Sequence, residues 1–273
     1  MIHSATLVDP AWLALRGPAD DRARSATGGA LADELARWLQ RRQRDIPARL
    51  VDVGAGTGAG ALWLRRRMRL PQQWRLLDHD PDLLALAQPV RLGWAEPVVA
   101  DLAQLPRLLA QDPADALTCQ ALLDLLTADA CRALIDAAIP CHAAVLAGLT
   151  VTGEVRLSPA HGDDAAVLAA FNSHQQRAGR LGPTAGSFTA RTLRSHGYTL
   201  LSARTPWRLG PPEEELLSAW LAGYAQAAAE QVRADQGPIA RWLAARLQDA
   251  RRGRLVVSVG HVDLLGLPPT PEQ

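Results

Sequence analysis

Between about residues 28 and 43, Leu31, Leu35, Trp38 and Leu39 recur at helical spacing, and Pro47 ends the pattern. From Arg49 the period changes, and short apolar runs alternate with helical stretches, as in a parallel sheet with crossover helices. The runs predict strands at Arg49 to Val53, Trp74 to Leu77, Pro97 to Val99, Ala116 to Cys119 and Ala143 to Thr150. Helices are predicted near 58–69, 81–87, 103–110 and 128–138. After Thr150 come a turn-rich stretch, a helix near 163–178, a Gly/Pro loop from Gly179 to Gly186, and a short helix to Ser195 that Gly197 stops. Two late strands, Tyr198 to Arg204 and Leu255 to Val262, flank helices near 213–231 and 238–250. Residues 1–24, with two prolines and the paired Asp20 and Asp21, read as a loop or short helix leading to Ser25 as a helix cap. The whole reads as one α/β domain over 1–273: an N-terminal helical cap (1–47), a ligand-binding core (48–150), and helical insertions with terminal strands (151–273).

Composition narrows the possibilities. With 48% hydrophobic and 21% charged residues, the chain has the balance of a folded globular protein rather than a disordered or fibrous one. Twenty-nine basic against 28 acidic residues leave a charge of +1, so no global field draws the chain to nucleic acid or to an anionic membrane, and neither partner is expected. Every basic residue is arginine. A Walker P-loop, a pyridoxal-phosphate enzyme, a Tyr-x-x-x-Lys dehydrogenase and a protein kinase each need a lysine, so all four are excluded. Cys119, Cys131 and Cys141 have no metal-ligand spacing and suit a reducing compartment, so no metal is expected and the expected location is cytoplasmic.

The candidate chemistry lies at Asp52-Val-Gly54-Ala55-Gly56-Thr-Gly58-Ala-Gly60, a glycine-rich strand-to-helix turn where a ligand approaches the backbone closely. Two readings compete. Gly54, Gly56 and Ala59 fit the dinucleotide pattern Gly-x-Gly-x-x-Gly/Ala, with Asp78 twenty residues after Gly58. Asp52-x-Gly-x-Gly-x-Gly also fits an S-adenosylmethionine loop, and three features favour it: Asp52 is suited to an ammonium group rather than to a pyrophosphate, the loop lies behind a helical cap, and Asp101 follows a third strand, where it can accept from an adenine amine.

Residues 50–150 resemble the core of the class I (Rossmann-like) S-adenosylmethionine-dependent methyltransferases. The resemblance covers the glycine loop, Leu-Leu-Asp78-His79-Asp80-Pro81, Ala100-Asp101-Leu102 and Asp115-Ala-Leu-Thr-Cys119-Gln120-Ala-Leu-Leu-Asp124. It implies a doubly wound, mostly parallel seven-stranded sheet with a terminal antiparallel pair, and S-adenosyl-L-methionine as cofactor. It also implies that Gly54, Ala55, Gly56 and Gly58 lie under the methionine part and that Asp78 holds the ribose hydroxyls. Asp101 and Leu102 would then read the adenine, and Cys119 and Gln120 would line the methionine and substrate side. His79 borders the adenine on this reading, or lies in a solvent-exposed turn. Arg24, with Arg16 and Arg22, is placed to close over the site and pair with the cofactor carboxylate or an acidic substrate; salt bridges to Asp20 and Asp21 explain these arginines equally well.

Methyl transfer from a sulfonium depends mainly on positioning, and a base is needed only where the acceptor loses a proton. Asp124, just beyond the fourth strand, is the first candidate base, with a capping role as the alternative. The helix near 163–178 carries Val167, Phe171 and His174 on one face with Asn172 and Gln175 alongside, so His174 is a second catalytic candidate, and Phe171, Asn172 and Gln175 are substrate contacts. Trp220 and Tyr224, four apart on a late helix, wall the acceptor pocket or form a homodimer contact. The reading is a methyltransferase acting on an oxygen or nitrogen of a small-molecule metabolite. The alternatives are an RNA or protein methyltransferase, or a non-catalytic cofactor-binding partner protein.

Overall fold

The computed structural model describes residues 9–42, 46–232 and 236–269; the expected helix end at residue 43 lies outside them. Helix α1 (Pro10–Ala23) starts from Asp9, whose carboxylate accepts from the Ala11 amide at 2.8 Å. It is a full helix of 14 residues rather than the loop or short helix expected, and it runs on through a π-helical turn, Arg24–Gly28, into α2 (Gly29–Arg42). Gly17 and Pro18 are tolerated within it because Ala19 and Ala23 are buried beside Trp207 and Trp220, with Trp12 and Leu15 packed against the same cluster. Ser25 therefore caps nothing. Its hydroxyl accepts from the Trp63 indole at 3.2 Å.

Four βα units and a fifth strand follow: β1 (Ala48–Val53), α3 (Ala59–Arg67), β2 (Gln72–Asp78), α4 (Pro81–Leu86), α5 (Gln88–Arg91), β3 (Ala95–Val99), α6 (Leu105–Gln111), β4 (Ala116–Gln120), α7 (Ala128–Ala138) and β5 (Ala144–Ser158). The chain continues through α8 (Asp164–Gln175), α9 (Ala185–Ser195), β6 (Thr199–Arg204), β7 (Trp207–Leu209), α10 (Glu214–Gln231), α11 (Gly237–Arg251) and β8 (Val256–Leu267). The sheet order is β3-β2-β1-β4-β5-β8-β6, with β8 antiparallel to β5 and β6, and β7 pairing with β8. Strand order reverses between β1 and β4, the switch point where open α/β sheets bind ligands.

The sheet has eight strands rather than seven, because the three-residue β7 adds to the outer half of β8. Strand β5 also runs eight residues beyond the expected end at Thr150. Its second half alternates exposed and half-buried positions, the polar-faced pattern of a strand covered on one side only. Two apolar clusters lie against the parallel strands, one with Val51, Leu77, Leu117 and Ile135, the other with Leu35, Leu50, Leu64 and Leu76. A third packs α1, α10 and α11 against β7 and β8 around Trp207, Trp220 and Trp242. Buried Arg246 ties this third layer to α8 through Asp164 at 2.6 Å, with the Trp242 indole donating to the same carboxylate at 2.8 Å. Among the described residues, no helix is long and apolar enough to cross a membrane.

Candidate active site

The loop leaving β1 is held by β2. Gly54 and Ala55 donate to the Leu77 carbonyl at 2.8 and 3.1 Å, and Gly56 donates to Asp78 Oδ2 at 2.8 Å. The other Asp78 oxygen accepts from the Asp80 amide at 3.0 Å, and His79 Nδ1 lies 3.2 Å from it. Asp78 is thus buried at the end of β2 as the anchor of the glycine turn, while His79 is exposed beside it. Gly58 precedes α3 with φ at +73°, and a Cβ there would lie 2.8 Å from the Pro89 ring, so both backbone and space require glycine.

Asp52 and Thr118 are register partners on β1 and β4, and the Thr118 hydroxyl donates to Asp52 Oδ1 at 2.6 Å. Burial pushes the Asp52 carboxyl up to about 6, against the opposing pull of Thr118, Arg24 and the Ala61 amide. Arg24, in the π-helical turn, is only 2% exposed; its Nη2 pairs with Asp21 at 2.7 Å, and its guanidinium lies 5.4 Å from the centre of the Trp63 ring. π-Helical turns are rare and recur at functional sites. Gln120, at the end of β4, packs its amide against Gly60 and Gly148, where any Cβ would collide with it.

Buried polar atoms without a partner concentrate around this loop. Six such atoms occur among the described residues: Arg49 Nε lies at the opposite end, at the start of β1, whereas Arg24 Nε, Gln120 Oε1, Asp124 Oδ1, Thr150 Oγ1 and His261 Nδ1 all lie at or above the carboxyl ends of the parallel strands. Such atoms are costly unless something satisfies them, so their clustering marks a ligand site. Asp124 lies on a 3-10 turn after β4, with its carboxyl pushed up by burial against the opposing pull of its own amide, Arg16 and Arg180. His261 is driven down to about 3 by burial and by Arg16, so its ring is neutral at neutral pH. That ring lies 5.2 Å from Trp207, whose indole donates to Asp20 at 2.9 Å. Helix α1 forms the roof: a Cβ on Gly56 would lie 3.3 Å from Leu13.

Of the expected site residues, Asp52, Gly54, Ala55, Gly56, Gly58, Asp78, Gln120 and Arg24 come together here, with Asp124 beyond β4. The Phe171 ring stacks on Tyr224 at 3.5 Å, and Trp220 lies 4.1 Å from the same ring. Asp101 and Leu102 follow β3; Asp101 is exposed, and its amide donates to Gln104 Oε1 at 2.8 Å.

Four expectations need correction. Cys119 buries its thiol in the apolar cluster with Cys131 and Leu134, which pushes its pKa well up. His174 lies one helical turn beyond Phe171 and its ring is ion-paired with Glu230 at 3.0 Å. Asn172 donates to the Gly153 carbonyl at 3.0 Å, fixing an irregular part of β5. Gln175 sits 3.5 Å from His174 Nδ1, beside the Glu230 pair rather than in the pocket. Thr118 and Arg180 are not among the expected site residues, and His261, at a strand end, is only a weak candidate from sequence. Thr118 was accessible through its pairing with Asp52, whereas His261 and Arg180 reach the site only through tertiary packing.

No protein-family model matches the chain, and no curated protein matches it. Among solved structures, it resembles a cyclopropane-fatty-acyl-phospholipid synthase-like protein from Lactobacillus casei, with 12% identity and a TM-score of 0.51 over 87% of this chain and 91% of the other. The cyclopropane synthase MmaA2 from Mycobacterium tuberculosis aligns with 15% identity and a TM-score of 0.45 over 87% and 83%. With its sheet order, switch-point glycine loop and antiparallel β8, the chain has the Rossmann-like fold of the class I methyltransferases.

Proposed function

We propose that this protein is an S-adenosylmethionine-dependent methyltransferase that modifies an oxygen or nitrogen atom of a small molecule. The observation that carries the reading is the gathering of unpartnered buried polar atoms around a glycine turn flanked by Asp52 and Asp78. The residues suit the cofactor: a cradle that only glycine permits, a carboxylate at the end of β2, and a buried acid and base for an amino-acid group. S-adenosylmethionine would supply a methyl whose bond to sulfur breaks, leaving its electrons on sulfur, as the acceptor forms the new bond.

The protein's part is binding and orientation, which together account for much of the rate in such a transfer. Asp78 keeps lone pairs for ribose hydroxyls while it anchors the loop, and Asp101 with Leu102 is assigned the adenine edge. Asp52 is assigned the ammonium, and Arg24, with its free Nε, the carboxylate. Asp124 accepts the acceptor's proton at Oδ1; its raised pKa makes it a stronger base than an ordinary aspartate. Helix α1 and the rings of Phe171, Trp220 and Tyr224 pack into one apolar cluster, with Tyr224 close enough to Asp124 to feel its charge, and this side is assigned the small acceptor.

The test incubates the protein with methyl-labelled S-adenosylmethionine and three acceptor pools: hydroxy and amino metabolites, total tRNA, and a mixed protein extract. Label is expected in the metabolite pool. Label confined to tRNA or protein would overturn the small-molecule assignment.

A further inference from the structure

The acceptor side of the site holds an arginine, Arg180, that makes no salt bridge among the described residues. Among the described residues, every other arginine that is buried or half-buried forms an ion pair: Arg16 with Asp20, Arg24 with Asp21, Arg49 and Arg75 with Asp112, Arg177 with Glu230, and Arg246 with Asp164. Arg180 is half-buried, yet its guanidinium donates only to main-chain carbonyls, Nε to Arg177 at 3.2 Å and Nη2 to His174 at 3.4 Å. Residue 180 forms a bridge with Thr127, and the Leu181 amide donates to the Leu126 carbonyl at 2.8 Å, so this loop lies against the segment that carries Asp124. Arg180 and Arg16 both act electrostatically on Asp124, whose Oδ1 is buried and unpartnered. Asp124 in turn acts on Tyr224, the middle ring of the aromatic wall formed with Phe171 and Trp220.

The charges can be counted group by group. Arg16 is spent on Asp20, which takes its Nε and Nη2 at 2.8 and 3.3 Å. Once Asp124 has taken a proton from the acceptor, Arg180 is left as a partly desolvated positive charge with nothing opposite it, a costly arrangement that one negative charge on the ligand would relieve. A single guanidinium matches a carboxylate, whereas a dianionic phosphate would leave a charge over. Phe171, half-buried and stacked parallel on Tyr224 at 3.5 Å, offers the planar surface on this side and favours a planar body.

From this juxtaposition the geometry points to an aromatic carboxylic acid as the acceptor, its ring against Phe171, its carboxylate on Arg180, and its hydroxyl or amino group facing Asp124. This assignment rests on the acceptor site proposed above.

The test is calorimetric titration of the full chain saturated with S-adenosylhomocysteine, whose own binding is measured first. Three isosteric probes are compared at neutral pH: meta-hydroxybenzoate, meta-hydroxybenzamide and meta-hydroxybenzylamine. The acid is expected to bind at least about ten-fold more tightly than either isostere. Arg180→Gln is expected to remove that preference and Arg180→Lys to restore part of it, with S-adenosylhomocysteine affinity unchanged in both. Equal or tighter binding of the amide or the amine, or binding of none of the three, would overturn the proposal, and this comparison on the unaltered protein does not depend on the variants folding. Undiminished acid affinity in Arg180→Gln would overturn it as well. Failure of S-adenosylhomocysteine to bind refutes the cofactor reading instead, and the same probes titrated without it still decide the acid preference.

Discussion

Asp52→Asn separates the cost of a buried carboxyl from its use. The carboxyl is held at about 6 in the folded protein against 3.8 ordinarily, because burial outweighs the Thr118 hydrogen bond and the Arg24 charge. At roughly 1.4 kcal/mol per tenfold change in proton affinity, ionising it costs the folded state on the order of 3 kcal/mol. The folded state binds more protons than the unfolded state between those two values, so stability rises as pH falls through about 6 towards 3.8. From about pH 7.5 to about pH 5 the wild type should recover about 1.4 kcal/mol through this group, or about 3 °C in Tm for a chain of this size. Asn keeps the acceptor for the Thr118 hydroxyl and cannot titrate, so the wild-type Tm should rise by about 3 °C relative to that of the variant as pH falls across that window. The same group gives a binding signature. If a cofactor ammonium pairs with Asp52, binding near pH 6 releases about half a proton, read from calorimetry in two buffers of different ionisation enthalpy. Parallel Tm curves for wild type and Asp52→Asn, with no proton release, would refute the reasoning.

Asp78→Ala should weaken S-adenosylhomocysteine binding about 10- to 100-fold, the loss of charged hydrogen bonds worth about 1.5–3 kcal/mol, with the far-ultraviolet circular dichroism unchanged; unaltered affinity would sink the ribose assignment. Gly58→Ala forces a side chain into left-handed backbone and against Pro89, so chemical denaturation should show a loss of at least about 1–2 kcal/mol, and no loss would show that the turn can relax. Asp124→Asn should lower kcat about 10²- to 10⁴-fold for an acceptor that must lose a proton, with cofactor affinity intact; full turnover would remove Asp124 from the chemistry. Arg246→Met breaks the buried pair with Asp164 and should cost about 3–5 kcal/mol in urea denaturation, without changing cofactor affinity. Asp164 is half-buried, which raises its pKa, but its Trp242 and Arg246 hydrogen bonds outweigh that and hold it below 3.8, so the stability it contributes is present above that value and lost as pH falls through the lowered one.

The switch from helical to strand spacing at Arg49, and acids at successive strand ends, made the parallel core and its glycine turn legible, because local pattern and tertiary role coincide there. They part company elsewhere. β5 beyond Thr150 reads as turns because Gly153 and a polar face interrupt its apolar run, yet pairing with β8 extends it to Ser158. α1 reads as a loop because Gly17 and Pro18 weaken its helical propensity, a deficit that packing against Trp207 and Trp220 overrides. On α8 the apolar spacing correctly turned Val167 and Phe171 inward, but His174 lies one turn further on and meets Glu230. Strand alternation sends Asp52 and Thr118 to one face and Cys119 into the apolar cluster on the other, a difference that the motif match alone does not carry. Arg180 and His261 join the site only by packing between distant segments, and no local pattern announces that.

The central claim is that the glycine turn, Asp52, Asp78 and Arg24 hold S-adenosylmethionine. The most direct measurement is parallel calorimetric titration of the purified protein with S-adenosylmethionine, S-adenosylhomocysteine and NAD. The first two are expected to bind with one-to-one stoichiometry and NAD to give no heat; binding of NAD alone would contradict the claim and assign the glycine turn to a dinucleotide.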